Sequence, residues 1–249
     1  WSRARSAGLP VRRVFVTGLG MLTGVGANMQ QSFQALLAGC SAVTEAPPLV
    51  TRWLPNALAA CVKDPIDRRL TRAEASLDRA TQLGLLAARE AISDAAFASA
   101  AEDKHRVGIY VGIGMAGAQT LDAFYTSFHE RLPRCEAEGR DPTVVHPLAV
   151  PRIMANSTAS LLSIENGFQG PTHTYSVACS SSAVAIGEAY RAIQSGRLDA
   201  ALAVGTESML EPGPFFAWNA LRVMAPLREA DRSASCRPFD RERGGFVLG

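Results

Sequence analysis

Short apolar runs alternate along this chain with segments in which small apolar residues recur every three or four positions, and that alternation restricts the fold more than any other feature. "RVFVTG" (13–18) is a β-branched run closed by Gly18. Asn28 with Gln31 three residues on then forms a capping pair for a helix ending near Gly39. A long helix is expected over about 73–97, where Leu77, Ala80, Gly84, Ala88, Ala91 and Ala95 make one narrow face of small side chains. "RVGIYVG" (106–112) suits a strand covered on both sides. Pro151 opens a helix that fades at Asn166 and Gly167. "THTYSVA" (172–178) is the next strand, a helix runs from about Cys179 to Ser195 with Gly196 as its stop, and "AALAVGTES" (200–208) is a buried strand. This order specifies an α/β fold, with helices layered on a mixed, mainly parallel sheet. Residues 130–147, charged and containing proline, are the best candidate for a long loop.

Within 249 residues, 47% hydrophobic and 19% charged, there is ample material for a core. Twenty-five Lys and Arg against 23 Asp and Glu leave a net charge of +2, and the excess is local: Arg3, Arg5, Arg12 and Arg13 crowd the start. Nothing in that balance calls for nucleic acid. No apolar run approaches the roughly 18–20 residues that cross a bilayer, and no secretory signal is visible, so a soluble, cytoplasmic protein without a membrane partner is expected. Residues 1–11 lack periodicity and read as a flexible arm or a cloning remnant. The five cysteines, Cys40, Cys61, Cys135, Cys179 and Cys236, are odd in number and widely spaced. They suit neither a disulfide framework nor a zinc site; reduced thiols and no metal are expected.

"VACSSSA" (177–183) places Cys179 where a strand hands over to a helix. Unpaired N–H groups and the positive end of the helix dipole then face its sulfur, favouring thiolate over a thiol whose reference pKa is about 8.5. The same N–H groups, that of Cys179 included, can hold the oxyanion of a thioester under attack. The competing reading is an inert cysteine buried by close helix packing. His173 lies six residues up the strand, roughly 20 Å at ~3.3 Å per residue, too far to act as a base. His105, His129 and His146 fall in polar or loop-like surroundings. "GIGMAG" (112–117) satisfies G-x-G-x-x-G, but no second strand with a terminal acid follows, so these glycines read as a tight loop beside a pocket rather than a dinucleotide site. "RPFDRERGGFV" reads as a salt-bridged loop entering a strand.

Taken together, "VTGLGMLTGVG", "LLAG", "LDRATQLGLLAAREAISDA", "SLLSIENGFQGP", "SVACSSSA", "GEAYRAIQSGRLDAALAVGTES" and "RPFDRERGGFVLG" resemble, in order and spacing, the elongating β-ketoacyl-[acyl carrier protein] synthases, including polyketide ketosynthases. The resemblance runs from about Arg12 to Gly249. It implies a thiolase-like fold of two similar halves, of which residues 12–249 would be the N-terminal one, and protomers paired as homo- or heterodimers. It implies that Cys179 takes an acyl chain from the phosphopantetheine of an acyl carrier protein and condenses it with malonyl-carrier protein, with loss of carbon dioxide and no cofactor. Met115 and Trp218 match acyl-pocket residues, and Ala149 one that reaches the partner's pocket. Arg222, with Arg68, Arg69 and Arg72, matches a basic patch that docks the carrier protein; for each arginine a solvated surface charge is the alternative.

The family's decarboxylating histidines and its lysine belong to a C-terminal half with no counterpart here, which accounts for a nucleophile without a base. "GGFVLG" (244–249) has the character of a buried strand, and more protein is expected after it. Two other readings stand beside the condensing enzyme: a non-catalytic pairing or chain-length subunit, and a cysteine hydrolase, which would need a histidine within ~4 Å of Cys179.

Overall fold

The computed structural model describes residues 12–97 and 103–249; the arm expected at 1–11, with Arg3 and Arg5, lies outside the described residues. Asn28 starts the first helix, α1 (Met29–Leu37): its Oδ1 accepts from the Gln31 N–H at 2.8 Å, and Gln31 Oε1 accepts from the Ala27 N–H. Gly39, at φ +69°, ends it in the left-handed region that glycine occupies without strain. A short ribbon follows, β1 (Thr44–Glu45) antiparallel to β2 (Leu58–Ala59), with α2 (Pro48–Thr51) between them. The remaining elements in order are α3 (Arg79–Asp94), β3 (Val107–Gly112), α4 (Ala118–Glu138), α5 (Ala149–Ile153), α6 (Ser157–Asn166), β4 (Thr172–Tyr175), α7 (Ser181–Gln194), β5 (Ala200–Gly205) and α8 (Pro212–Ala220).

Strands β4, β3 and β5 form one parallel sheet in that order, with Tyr110 of β3 opposite His173 on one side and Ala203 on the other. Because side chains alternate along a strand, β3 feeds two cores. Val107, Ile109 and Val111 pack with Leu85 and Ala88 of α3 and with Ala159 and Leu162 of α6. Tyr110, on the other face, packs with Ala185, Ala189 and Ala192 of α7. Every residue of β3 is buried, which is why it reads as an unbroken apolar run. A third cluster, Val50, Ala59, Phe215 and Leu248, joins the ribbon, α8 and the C-terminal residues.

The small face of α3 works as expected. A Cβ on Gly84 would lie 2.9 Å from Thr158 Cγ2 and 3.2 Å from Thr206 Cγ2, so α3 meets α6 and the end of β5 at a distance only hydrogen permits. Asp78 caps α3 through the Ala80 N–H. Residues 73–78, expected to be helical, instead hold a 3₁₀ turn (Glu74–Ser76) ahead of that cap.

Four further expectations are corrected. Residues 13–18 form no strand among the described residues, and Phe15 and Val16 are exposed. The stretch after them runs along α3 instead, where Asp94 accepts the Leu19 N–H and Glu90 the Met21 N–H. With no ladder partner beside them, β-branched residues do not make a strand by propensity alone. Residues 130–138 continue α4 rather than opening a loop, and α4 tolerates Pro133 because it is largely exposed and free to bend. The helix read from Pro151 onward is two, α5 and α6, broken where Met154 turns extended (ψ 135°) and Ser157 Oγ bonds the Pro151 carbonyl. "GGFVLG" pairs by single bridges, Phe246 with Met224 and Leu248 with Ala59, not as a full strand.

Arg89 of α3 joins Glu74 to Glu165 of α6. Its guanidinium holds the Glu74 carboxyl down to about 2, from 4.5. A carboxyl lowered by folding stabilises fully above its unfolded value and loses that contribution as pH falls through the folded one. Arg89→Met is therefore expected to flatten the loss of stability between pH 4.5 and pH 2, read from urea midpoints across that window. Gly84→Val is expected to cost about 1–3 kcal/mol, seen as a lower urea midpoint at unchanged slope.

Candidate active site

Strand β4 ends at Tyr175 and α7 begins at Ser181, and the five residues between them reverse the chain in a tight elbow. Ala178 sits at φ +53°, a left-handed conformation that costs an alanine roughly 1–2 kcal/mol. Ser181, only 3% exposed, holds it there: its Oγ accepts from the Val177 N–H at 2.9 Å and donates to the Ala178 carbonyl at 2.7 Å. Backbone bonds from Ser180 to Val177 and from Ser181 to Ala178 close the turn. Cys179 stands at its crest, exposed.

The elbow is seated on glycine. A Cβ on Gly112, the last residue of β3, would lie 2.4 Å from the Ser181 carbonyl and the Ser182 nitrogen, and one on Gly205, the last of β5, 2.2 Å from Ser182 Oγ. The first turn of α7 thus rests directly on the carboxyl ends of two neighbouring strands. No side chain caps α7, and the Cys179 N–H has no acceptor among the described residues. A free amide and the positive end of a four-turn helix therefore adjoin an accessible sulfur, a setting that can hold the negative charge of a carbonyl oxygen under attack.

The other two strands contribute from their own ends. The loop after β3 carries Gly114 and Met115; Ser176 Oγ donates to the Gly114 carbonyl at 3.2 Å, tying loop to elbow. Two residues past β5, Glu207 Oε2 accepts from the Gly114 N–H (2.8 Å) and the Met115 N–H (2.9 Å). Burial pushes the Glu207 carboxyl up, opposed by those backbone bonds. Elbow, loop and carboxylate meet at the carboxyl edge of the sheet, where ligands bind in open α/β folds.

The remaining expected residues are dispersed. Met115 is exposed beside the elbow. Ala149, first residue of α5, lines a 580 Å³ cavity with His146, Arg152, Gln119 and Phe124, whose walls do not include Cys179, Met115 or Trp218. Trp218 of α8 is half-buried, edge-on to Phe246 at 5.4 Å. Arg222 follows α8, exposed, at φ +56°. Arg68 and Arg72 are exposed, but Arg69 is engaged by the Ala27 carbonyl (2.9 Å) and by Asp64 (3.2 Å). His173 lies on β4, packed with Tyr110 and Tyr175, as a sheet-face residue. Arg237 and Arg228 both pair with Glu242, as expected for a salt-bridged loop. Reading residues one by one missed Ser181 as a clamp and Glu207 as an anchor; an acid two residues past an apolar strand was the available signal.

No helix of the described residues is long and apolar enough to cross a membrane. Ala178→Val is expected to cost about 1–3 kcal/mol, since a β-branched residue is poorly accommodated at positive φ. Ser181→Ala should cost a similar ~1–3 kcal/mol through the orphaned Val177 N–H and Ala178 carbonyl. Both are read from urea midpoints, with Ser180→Ala, which caps nothing, as the neutral reference.

The family model described as "Beta-ketoacyl synthase, N-terminal domain" matches residues 11–249. The chain is 32% identical over 240 residues to the 3-oxoacyl-[acyl-carrier-protein] synthase 2 of Vibrio cholerae serotype O1, covering 96% of this chain and 56% of that protein. Among solved structures, a type II PKS acyl-carrier protein in complex with its ketosynthase bound to the hexaketide superposes with TM-score 0.81 at 23% identity, over 96% of this chain and 56% of the other. The ishigamide ketosynthase/chain length factor does so with TM-score 0.77 at 24% identity, over the same shares. The chain spans about half the length of the curated relatives it matches.

Proposed function

The chain belongs to the β-ketoacyl synthase family, and from that premise we propose that it supplies the nucleophilic half of an elongating ketosynthase. The Cys179 thiolate attacks the carbonyl of an acyl-phosphopantetheine thioester, the pantetheine thiolate leaves, and the acyl group stays on Cys179. Malonyl-carrier protein then loses carbon dioxide, its C2 carbanion attacks the acyl-cysteine, and the Cys179 thiolate departs, leaving a β-ketoacyl chain on the carrier. Thioester exchange is nearly neutral in energy and keeps the acyl carbon electrophilic, which suits cysteine to the first step.

The observation that carries this reading is the exposed Cys179 on a left-handed elbow at an uncapped helix start, with its own N–H free. The decarboxylating groups belong, on this reading, to a C-terminal half that completes residues 12–249, and the synthase works as a homo- or heterodimer in the cytoplasm without metal or cofactor. Met115 and Trp218 line the acyl pocket, Ala149 reaches toward the partner, and Arg222, Arg68 and Arg72 dock the carrier protein. Arg69 is a weaker member of that patch, because its guanidinium already has partners.

A second reading, a non-catalytic chain-length partner, is suggested by a structural neighbour that is a ketosynthase/chain length factor pair. An accessible nucleophile on a strained turn favours the first, since a purely structural subunit has no use for that strain. The two are separated by intact mass after incubating the protein, with the second half supplied, with an acyl-carrier thioester. An acyl adduct absent from Cys179→Ser is expected. No adduct on the wild type would overturn the enzyme reading.

A further inference from the structure

We propose that Glu207 is a positioning residue for acyl-chain length, its side chain fixing the Met115 loop against the elbow that carries Cys179. The proposal rests on the ketosynthase reading and deepens it. One carboxylate oxygen, Oε2, accepts two consecutive backbone N–H groups, those of Gly114 and Met115, at 2.8 and 2.9 Å. Consecutive amides converging on one anion form a small concave nest, and a charged acceptor makes each bond roughly twice as strong as a neutral one. Gly114 lies between this carboxylate and the elbow: a Cβ there would be 2.8 Å from Glu207 Oε2 and 3.8 Å from the Ala178 carbonyl. Ser176 Oγ holds the opposite side of the same peptide through the Gly114 carbonyl. Loop and elbow are thus fixed to each other across one glycine, and Met115 is the next residue after that junction.

The second oxygen, Oε1, is buried and has no hydrogen-bond partner among the described residues. The nearest acid acting on the group, Asp78, is spent on the starts of two helices, accepting from the Ala80 N–H and from the Thr120 N–H and Oγ1. An acid with one oxygen buried and unpaired is costly, and its return is the fixed placement of residue 115 relative to the elbow. Releasing the two amides lets the loop drift and changes the depth of the acyl pocket that the ketosynthase reading assigns to Met115, while the turn of Cys179 stays held by Ser181.

The test compares wild type, E207Q, E207L and M115A in the complete synthase. The first readout is kcat/KM for acylation of Cys179 across acyl-carrier thioesters of increasing length, and the second is Cys179 alkylation by iodoacetamide. E207L is expected to shift the long-to-short preference by about tenfold, equivalent to ~1.4 kcal/mol. Alkylation should stay within about twofold of wild type. E207Q, whose amide oxygen still accepts both N–H groups, should recover most of the native preference, and E207L should add little in a Met115→Ala background if it acts through that residue. An unchanged length preference in E207L, or equal losses of acylation at every length and of alkylation, would overturn the proposal. If E207L does not fold, E207Q and M115A carry the comparison: M115A with native preference overturns it. If wild type accepts no acyl group, the ketosynthase reading fails and takes the pocket role with it. Hydrogen exchange at the Gly114 and Met115 amides still reads the anchor alone, which is refuted if E207L leaves both amides as slow as wild type.

Discussion

The first turn of α7 lies on the glycine ends of β3 and β5, its backbone against Gly112 and the small Ser182 side chain against Gly205, and the geometry of the candidate site follows from that contact. Gly112 and Gly205 make it possible, because any Cβ at either position would overlap Ser181 or Ser182. A helix brought that close must be entered by an abrupt turn from β4, and the turn places Ala178 in the left-handed region. The strain is held by Ser181, buried beneath the turn, whose single hydroxyl meets both an N–H and a carbonyl. Glycine contacts, local strain and the serine clamp form one arrangement, and its outcome is a sulfur lifted clear of the packing at the positive end of a helix.

Convergence of three strand ends gives the site its chemistry. The elbow after β4 supplies Cys179, the loop after β3 supplies Met115 and two consecutive backbone amides, and the residues after β5 supply the acid that accepts from those amides. Parallel pairing is what brings them to one edge, since in an antiparallel sheet adjacent strand ends point to opposite sides. The sheet is in turn secured by β3, which carries alternate residues into the α3/α6 core and the α7 core. Losing packing on either face would therefore disturb the loop and the elbow together.

Much of this was legible in the residues. β3 announced itself as a doubly covered strand, Asn28 and Gln31 as a cap, and "VACSSSA" as a strand-to-helix junction; each is a local pattern whose cause is local. What was not legible depends on neighbours distant in sequence. Residues 13–18 have strand propensity, but no strand lies beside them among the described residues, and the stretch that follows them, Leu19 and Met21, is held along α3 by Asp94 and Glu90. Pro133 argued for a loop, yet α4 is exposed enough to carry it. Glu207 reads as any acid after a strand until the Gly114 and Met115 amides are seen pointing at it, and Arg69 reads as a free surface charge until Asp64 and Ala27 are seen to occupy it.

That the elbow confers reactivity on Cys179 beyond mere accessibility is tested most directly by competition among the chain's own thiols. Cys40 is exposed as well and stands on no such turn, whereas Cys135 is buried. With iodoacetamide limiting and each peptide quantified by mass, Cys179 is expected to be alkylated about tenfold or more faster than Cys40, because one sulfur adjoins a helix start and the other follows the C-terminal end of α1. Equal rates at the two exposed cysteines would contradict the account.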